Sequence, residues 1–68
     1  MKSEELKKVE AYLRRLFGTD RIGVKARPRK DDSAEVFIGE EFIGVLYRDD
    51  EDAELSYNFS MAILAEDL

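Results

Sequence analysis

His and Cys, the side chains that most often move protons or attack electrophiles near neutral pH, do not occur in this chain. Four serines, Ser3, Ser33, Ser56 and Ser60, have no imidazole to activate them. The lack of cysteine also removes disulfides, thiolate zinc sites and thiol nucleophiles. Carboxylates are plentiful, but they fall in polar, turn-forming stretches where water solvates them. The expectation is a protein that is not an enzyme and holds no cofactor.

Two charged constellations remain. Asp50, Asp52 and Glu54 have the alternate spacing of hard oxygen ligands. The calcium-loop template fails on them: its sixth position, which requires glycine, falls on Leu55, and its twelfth, which requires glutamate, falls on Met61. A solvated loop without a metal is expected, one that also keeps neighbouring strand edges from pairing with other chains. The second set is basic: Arg21, Lys25, Arg27, Arg29 and Lys30, with Lys7, Arg14 and Arg15 near enough in sequence to join it. Several cations on one surface displace counterions from nucleic acid, which makes a nucleic-acid-binding module the alternative function. Against it stand an isoelectric point near 4.6 and a first strand with no aromatic platform for bases. An acidic protein partner, or the acidic half of a second copy, is a comparable use for the same charges.

The elements that must position these residues follow from periodicity. Ser3 to Phe17 reads as an amphipathic helix with Leu6, Val9, Leu13, Leu16 and Phe17 in one stripe and Lys7, Lys8, Ala11, Arg14 and Arg15 opposite. Ser3 is placed to cap its first turn, Glu4 and Glu5 suit the positive end of the dipole, and Gly18 suits a left-handed stop. Ile22 to Arg27 alternates as a half-buried strand that Pro28 ends, and Arg29 to Ser33 reads as a polar turn. Two apolar runs, Ala34–Ile38 and Glu41–Tyr47, flank Gly39-Glu40, the Gly-X signature of a two-residue hairpin. A tight turn there pairs Phe37 with Phe42 and Val36 with Ile43. Arg48 to Glu54 is a charged loop. Leu55, Tyr57, Phe59, Met61 and Ile63 then alternate with polar or small residues as a fourth strand, fraying at its end, although Ser60 could instead cap a short helix. Asn58-Phe59-Ser60 matches a glycosylation sequon, but Asn58 is better read as a wet-face strand residue.

One α+β domain spanning residues 1–68 is expected: an N-terminal helix packed on a four-stranded antiparallel sheet, in the order αββββ. Such a helix covers one sheet face. The expected hairpin register places Ala34, Val36, Ile38, Ile43, Val45 and Tyr47 under the helix and Phe37, Phe42 and Leu46 on the other face. Those three form the candidate partner-binding patch, unless the C-terminal segment folds back over them. The net charge of −5 divides unevenly, about +6 over residues 1–30 and about −11 over the rest. A basic first strand lying beside acidic later strands accounts for that division. No apolar run approaches the roughly 20 residues needed to span a bilayer, and the start Met1-Lys-Ser-Glu-Glu-Leu6 reads as a helix start. The expected setting is cytoplasmic. The expected function is a small protein-interaction module that self-associates as a homodimer, with no small-molecule ligand.

The order and wording of the chain also resemble a family of small alphaproteobacterial proteins known only as domain-of-unknown-function family 3126. The similarity is carried by Ala11-Tyr-Leu-Arg-Arg-Leu-Phe-Gly18, Val24-Lys-Ala-Arg-Pro28, Asp32-Ser-Ala-Glu-Val36, Ile38-Gly-Glu-Glu-Phe-Ile-Gly-Val-Leu46, Asp49-Asp-Glu-Asp52 and Tyr57-Asn-Phe-Ser-Met-Ala-Ile-Leu64. It spans nearly the whole chain and brings no function with it. Ala53 stands where the resemblance leads one to expect a glycine in the acidic turn.

Overall fold

The computed structural model describes residues 1–51 and 53–68. Helix α1 (Ser3–Phe17) is followed by strands β1 (Ile22–Arg27), β2 (Lys30–Ile38), β3 (Glu41–Asp49) and β4 (Ser56–Ser60), and by a short 3₁₀ turn (Ala65–Asp67). The strands form one antiparallel meander in the order β1-β2-β3-β4. This is the α+β arrangement read from the sequence.

The helix ends are set by local chemistry. Lys2 precedes the first turn with an extended backbone, and its N–H donates to Glu5 Oε1 at 3.4 Å. Ser3 therefore lies inside the helix and does not cap it, a correction of one residue explained by the reach of Glu5 back to an orphan N–H. Gly18 closes the helix at φ 67°, where the Thr19 N–H reaches the Arg14 carbonyl at 3.1 Å. Gly39 takes φ 61° at the first position of its turn, as a two-residue hairpin beginning with glycine requires.

The hairpin departs from the expected register in one place. Ile38 faces Glu41 and Phe37 faces Phe42, but Val36 faces Gly44 rather than Ile43. Ile43 is the extra residue of a β-bulge, and every residue beyond it changes sides relative to an unbroken alternation. Leu46 thus lies opposite Ala34 on the helix side, 2% exposed, and is not part of the far-face patch. Tyr47 moves the other way and is exposed, with Val45 half-buried beside it. Three further differences concern strand ends, the first being that β3 runs on through Arg48 and Asp49, which read as part of the charged loop. The polar stretch 29–33 is mostly strand, with a turn at Pro28 and Arg29 and an irregular register between Ala26 and Arg27. β4 stops at Ser60, its 61–64 continuation is not paired as strand, and Ser60 caps no helix.

The buried core is small: Leu13, Ile22, Val24, Ala34, Val36 and Leu46, with Leu6, Val9, Ile38, Ile43, Tyr57 and Phe59 packed partly around it. It sits off-centre for a geometric reason. Four strands spaced about 4.8 Å apart span roughly 15 Å between outer axes, whereas a helix with its side chains is about 10 Å across. α1 runs antiparallel to β1 and is fixed over that edge by Arg14 Nε donating to the Ile22 carbonyl at 2.8 Å and the Val24 N–H donating to Glu10 Oε2 at 2.9 Å. The β3–β4 half of the same sheet face is left without a helix above it.

Candidate interaction surface

The uncovered half-face forms a groove of about 520 Å³ between α1 and β4. Its helix wall is Val9, Tyr12, Leu13, Leu16 and Phe17, and its floor is Leu46, Tyr57 and Phe59. Leu16 is 60% exposed and Phe17 53%, although both belong to the stripe expected to face the core. The stripe is wider than the strip of sheet beneath it, so the last helical turn overhangs. Arg15 places its guanidinium 5.7 Å from the Tyr12 ring centroid along the same wall.

One end of the groove is closed by a polar clamp. The Tyr57 hydroxyl donates to Glu5 Oε2, and Arg48 Nε lies 3.0 Å from the same oxygen. The Tyr57 hydrogen bond, the largest influence, together with the Arg48 charge holds the Glu5 carboxyl below its ordinary value, against an upward push from burial that outweighs Arg48 alone. Burial and the Glu5 carboxylate hold the Tyr57 hydroxyl above its own. Arg48 turns its other arm to Asp50, Nη1 to Oδ2 at 3.6 Å. The clamp ties the first turn of α1 to β3 and β4. Its signal in the sequence is that Arg48 is the sole cation after Lys30.

The far sheet face carries a smaller apolar patch. Phe37 and Phe42 are cross-strand neighbours as expected, with ring centroids 5.7 Å apart at 72°. Val45 and Tyr47 extend the patch, while Leu46 has left it for the core. Ala62 and Leu64 border Phe42, Val45 and Tyr47 around a shallow hollow but do not cover them, since Phe42 stays 50% exposed.

The basic residues do not form one unobstructed stripe. Lys25 Nζ sits 4.9 Å above the Phe37 ring, and Arg27 Nη1 donates to the buried Ser33 hydroxyl at 3.2 Å. Arg21 folds against Gly39, while Arg29 and Lys30 lie at and just after the β1–β2 turn. Among the described residues no group of three or more potential metal ligands converges. Asp50 pairs with Arg48, and Asp52 lies outside the described residues. No helix of the described residues is long and apolar enough to cross a membrane.

No curated protein and no solved structure matches the chain. A family model does match, from residue 5 to residue 67, and that span takes in all of the sheet and nearly all of α1. The chain belongs to the family described as "Protein of unknown function (DUF3126)".

Proposed function

We propose that the protein is a small, non-catalytic interaction module that self-associates, and that the groove between α1 and β4 is its contact surface. The observation that carries this reading is the off-centre helix. It leaves Tyr12, Leu16 and Phe17 exposed above an apolar floor of Tyr57 and Phe59. Contiguous exposed apolar surface of this kind, with aromatic residues at its centre and charges at its rim, is characteristic of protein interfaces. A cytoplasmic setting, expected from composition, belongs to the same proposal.

The far-face patch supports a second reading in which Phe37 and Phe42 make the contact. It is the weaker surface because Lys25 already covers one ring. Nucleic-acid binding draws less support still, since Lys25 and Arg27 are engaged within the chain. Sedimentation velocity on the parent, Leu16→Asp and Phe42→Asp in 0.5 M salt separates the readings. A charge placed in an apolar contact without a counterion prevents association while an exposed site leaves the fold intact. The expected result is a salt-resistant dimer for the parent and Phe42→Asp, and a folded monomer for Leu16→Asp. Dissociation by Phe42→Asp alone would transfer the function to the far face.

A further inference from the structure

The two edges of the sheet are finished differently. On β1 two of the outward backbone groups are already occupied, the Ile22 carbonyl by Arg14 and the Val24 N–H by Glu10. The strand also carries Lys25 and Arg27 and ends at Pro28, all devices that discourage further pairing. On β4, none of these devices is present among the described residues. Leu55 to Ala65 is an eleven-residue run without a charge, the longest in a chain that is 40% charged. The Ser60 carbonyl lies against Gly44 of β3, so the backbone groups of Asn58 and Ser56 also face β3. Those of Tyr57 and Phe59 therefore face outward.

We infer that β4 pairs antiparallel with β4 of a second copy across a two-fold axis at Asn58, joining two sheets into one of eight strands. This rests on the groove reading above and specifies how the two copies meet. In that register Tyr57 meets Phe59 of the partner subunit, which satisfies the outward N–H and C=O groups of both residues, and Ser56 meets Ser60 of the partner subunit. The charge pattern selects a second copy over another chain. A self-paired antiparallel strand brings the residues nearest the axis close to their own equivalents, so it must lack charges there, and this strand does. The surface is also large enough. Tyr12, Leu16, Phe17, Leu55 and Met61 are each about half exposed or more along this side of the molecule. At roughly 100 Å² each they offer about 500 Å² of apolar area per copy, and the strand backbone adds to it, against about 800 Å² in a standard interface.

Because the chain has no cysteine, engineered ones report pairing without background. Asn58 at the axis is a non-hydrogen-bonded pair, where Cα atoms approach closely enough for a disulfide. Under mild oxidation of the full chain, Asn58→Cys should form covalent dimer at least about tenfold faster than Lys25→Cys, an exposed site on the opposite edge strand. A mixture of Ser56→Cys and Ser60→Cys chains should give mainly the mixed disulfide. As a check independent of disulfide formation, Asn58→Lys should raise the dimer dissociation constant about tenfold or more with unchanged circular dichroism. Equal rates for Asn58→Cys and Lys25→Cys would overturn the inference, as would predominant self-linkage of Ser56→Cys and of Ser60→Cys. If in that case Leu16→Asp still dissociates the dimer, the groove reading stands and only the edge pairing falls. A parent that stays monomeric at all concentrations removes both.

Discussion

At Gly44 the backbone of β3 lies directly against the Ser60 carbonyl and the Phe59 ring, and replacing the glycine with alanine tests how β4 packs on β3. A Cβ built at Gly44 falls well inside van der Waals contact with the Ser60 carbonyl oxygen, 2.8 Å from Phe59 Cε1 and 3.0 Å from Met61 Cβ. The Phe59 ring can rotate aside, but the Ser60 carbonyl is backbone and can retreat only by moving the strand. Overpacking that shifts backbone costs about 1–3 kcal/mol. For a domain of this size each kcal/mol lowers the melting temperature by about 4–8 °C, so Gly44→Ala should melt roughly 5–20 °C below the parent. Gly23→Ala is the matched control, because nothing lies within 4 Å of its added Cβ and its φ is not positive. That substitution should be neutral or stabilise by up to about 1 kcal/mol through the unfolded chain. Thermal and urea melts followed by circular dichroism make the comparison, and hydrogen exchange at the Tyr57 and Phe59 amides locates the effect on β4. Equal melting of the two variants would show that β4 does not pack on Gly44 as described.

Leu13 is the one helix residue in the buried core, so Leu13→Ala should cost about 2–5 kcal/mol in a urea melt, whereas Lys7→Ala on the exposed face should change stability by less than about 0.5 kcal/mol. Arg14→Ala should cost about 1 kcal/mol, because its guanidinium hydrogen-bonds the Ile22 carbonyl at the β1 edge. Folding holds the Glu5 carboxyl below the ordinary 4.5 of the unfolded chain, so its contribution is complete above 4.5 and is lost as pH falls through the lowered folded value. Tyr57→Phe removes the main cause of that depression, and melts from pH 7 to pH 3 should show a shallower acid loss for the variant than for the parent. Calorimetric titration with millimolar calcium should give no saturable binding, since Asp50 is paired with Arg48 and no ligand set converges among the described residues.

Most of the fold was legible because independent local signals agreed. The helix showed both its stripe and its stop at Gly18, and the hairpin turn was set by the one residue type that takes φ 61° without strain. The bulge at Ile43 was not legible. Val45 and Leu46 are both apolar, so alternation fits either register, and Gly44 has no side chain to mark its face. What decides between the registers is tertiary. Burying Leu46 also brings Arg48 to the helix side, where Glu5 and Tyr57 meet it. The same limit hid the groove. An apolar stripe shows which face of a helix turns inward, but not which strands lie under it, so Leu16 and Phe17 read as core. Of the far-face patch, Phe37 and Phe42 survive because they lie between the turn and the bulge, where the expected register holds.

Whether two copies meet along the α1–β4 side is read without any substitution by isotope-filtered nuclear Overhauser spectroscopy. In a 1:1 mixture of ¹³C-labelled and unlabelled chains, only contacts between copies give filtered cross-peaks. Such peaks are expected at the Leu16 methyls and at the Tyr57 and Phe59 rings, with none at Phe37 or Phe42. Cross-peaks confined to Phe37, Phe42 and Tyr47, or no filtered cross-peaks at millimolar concentration, would contradict a contact along that side.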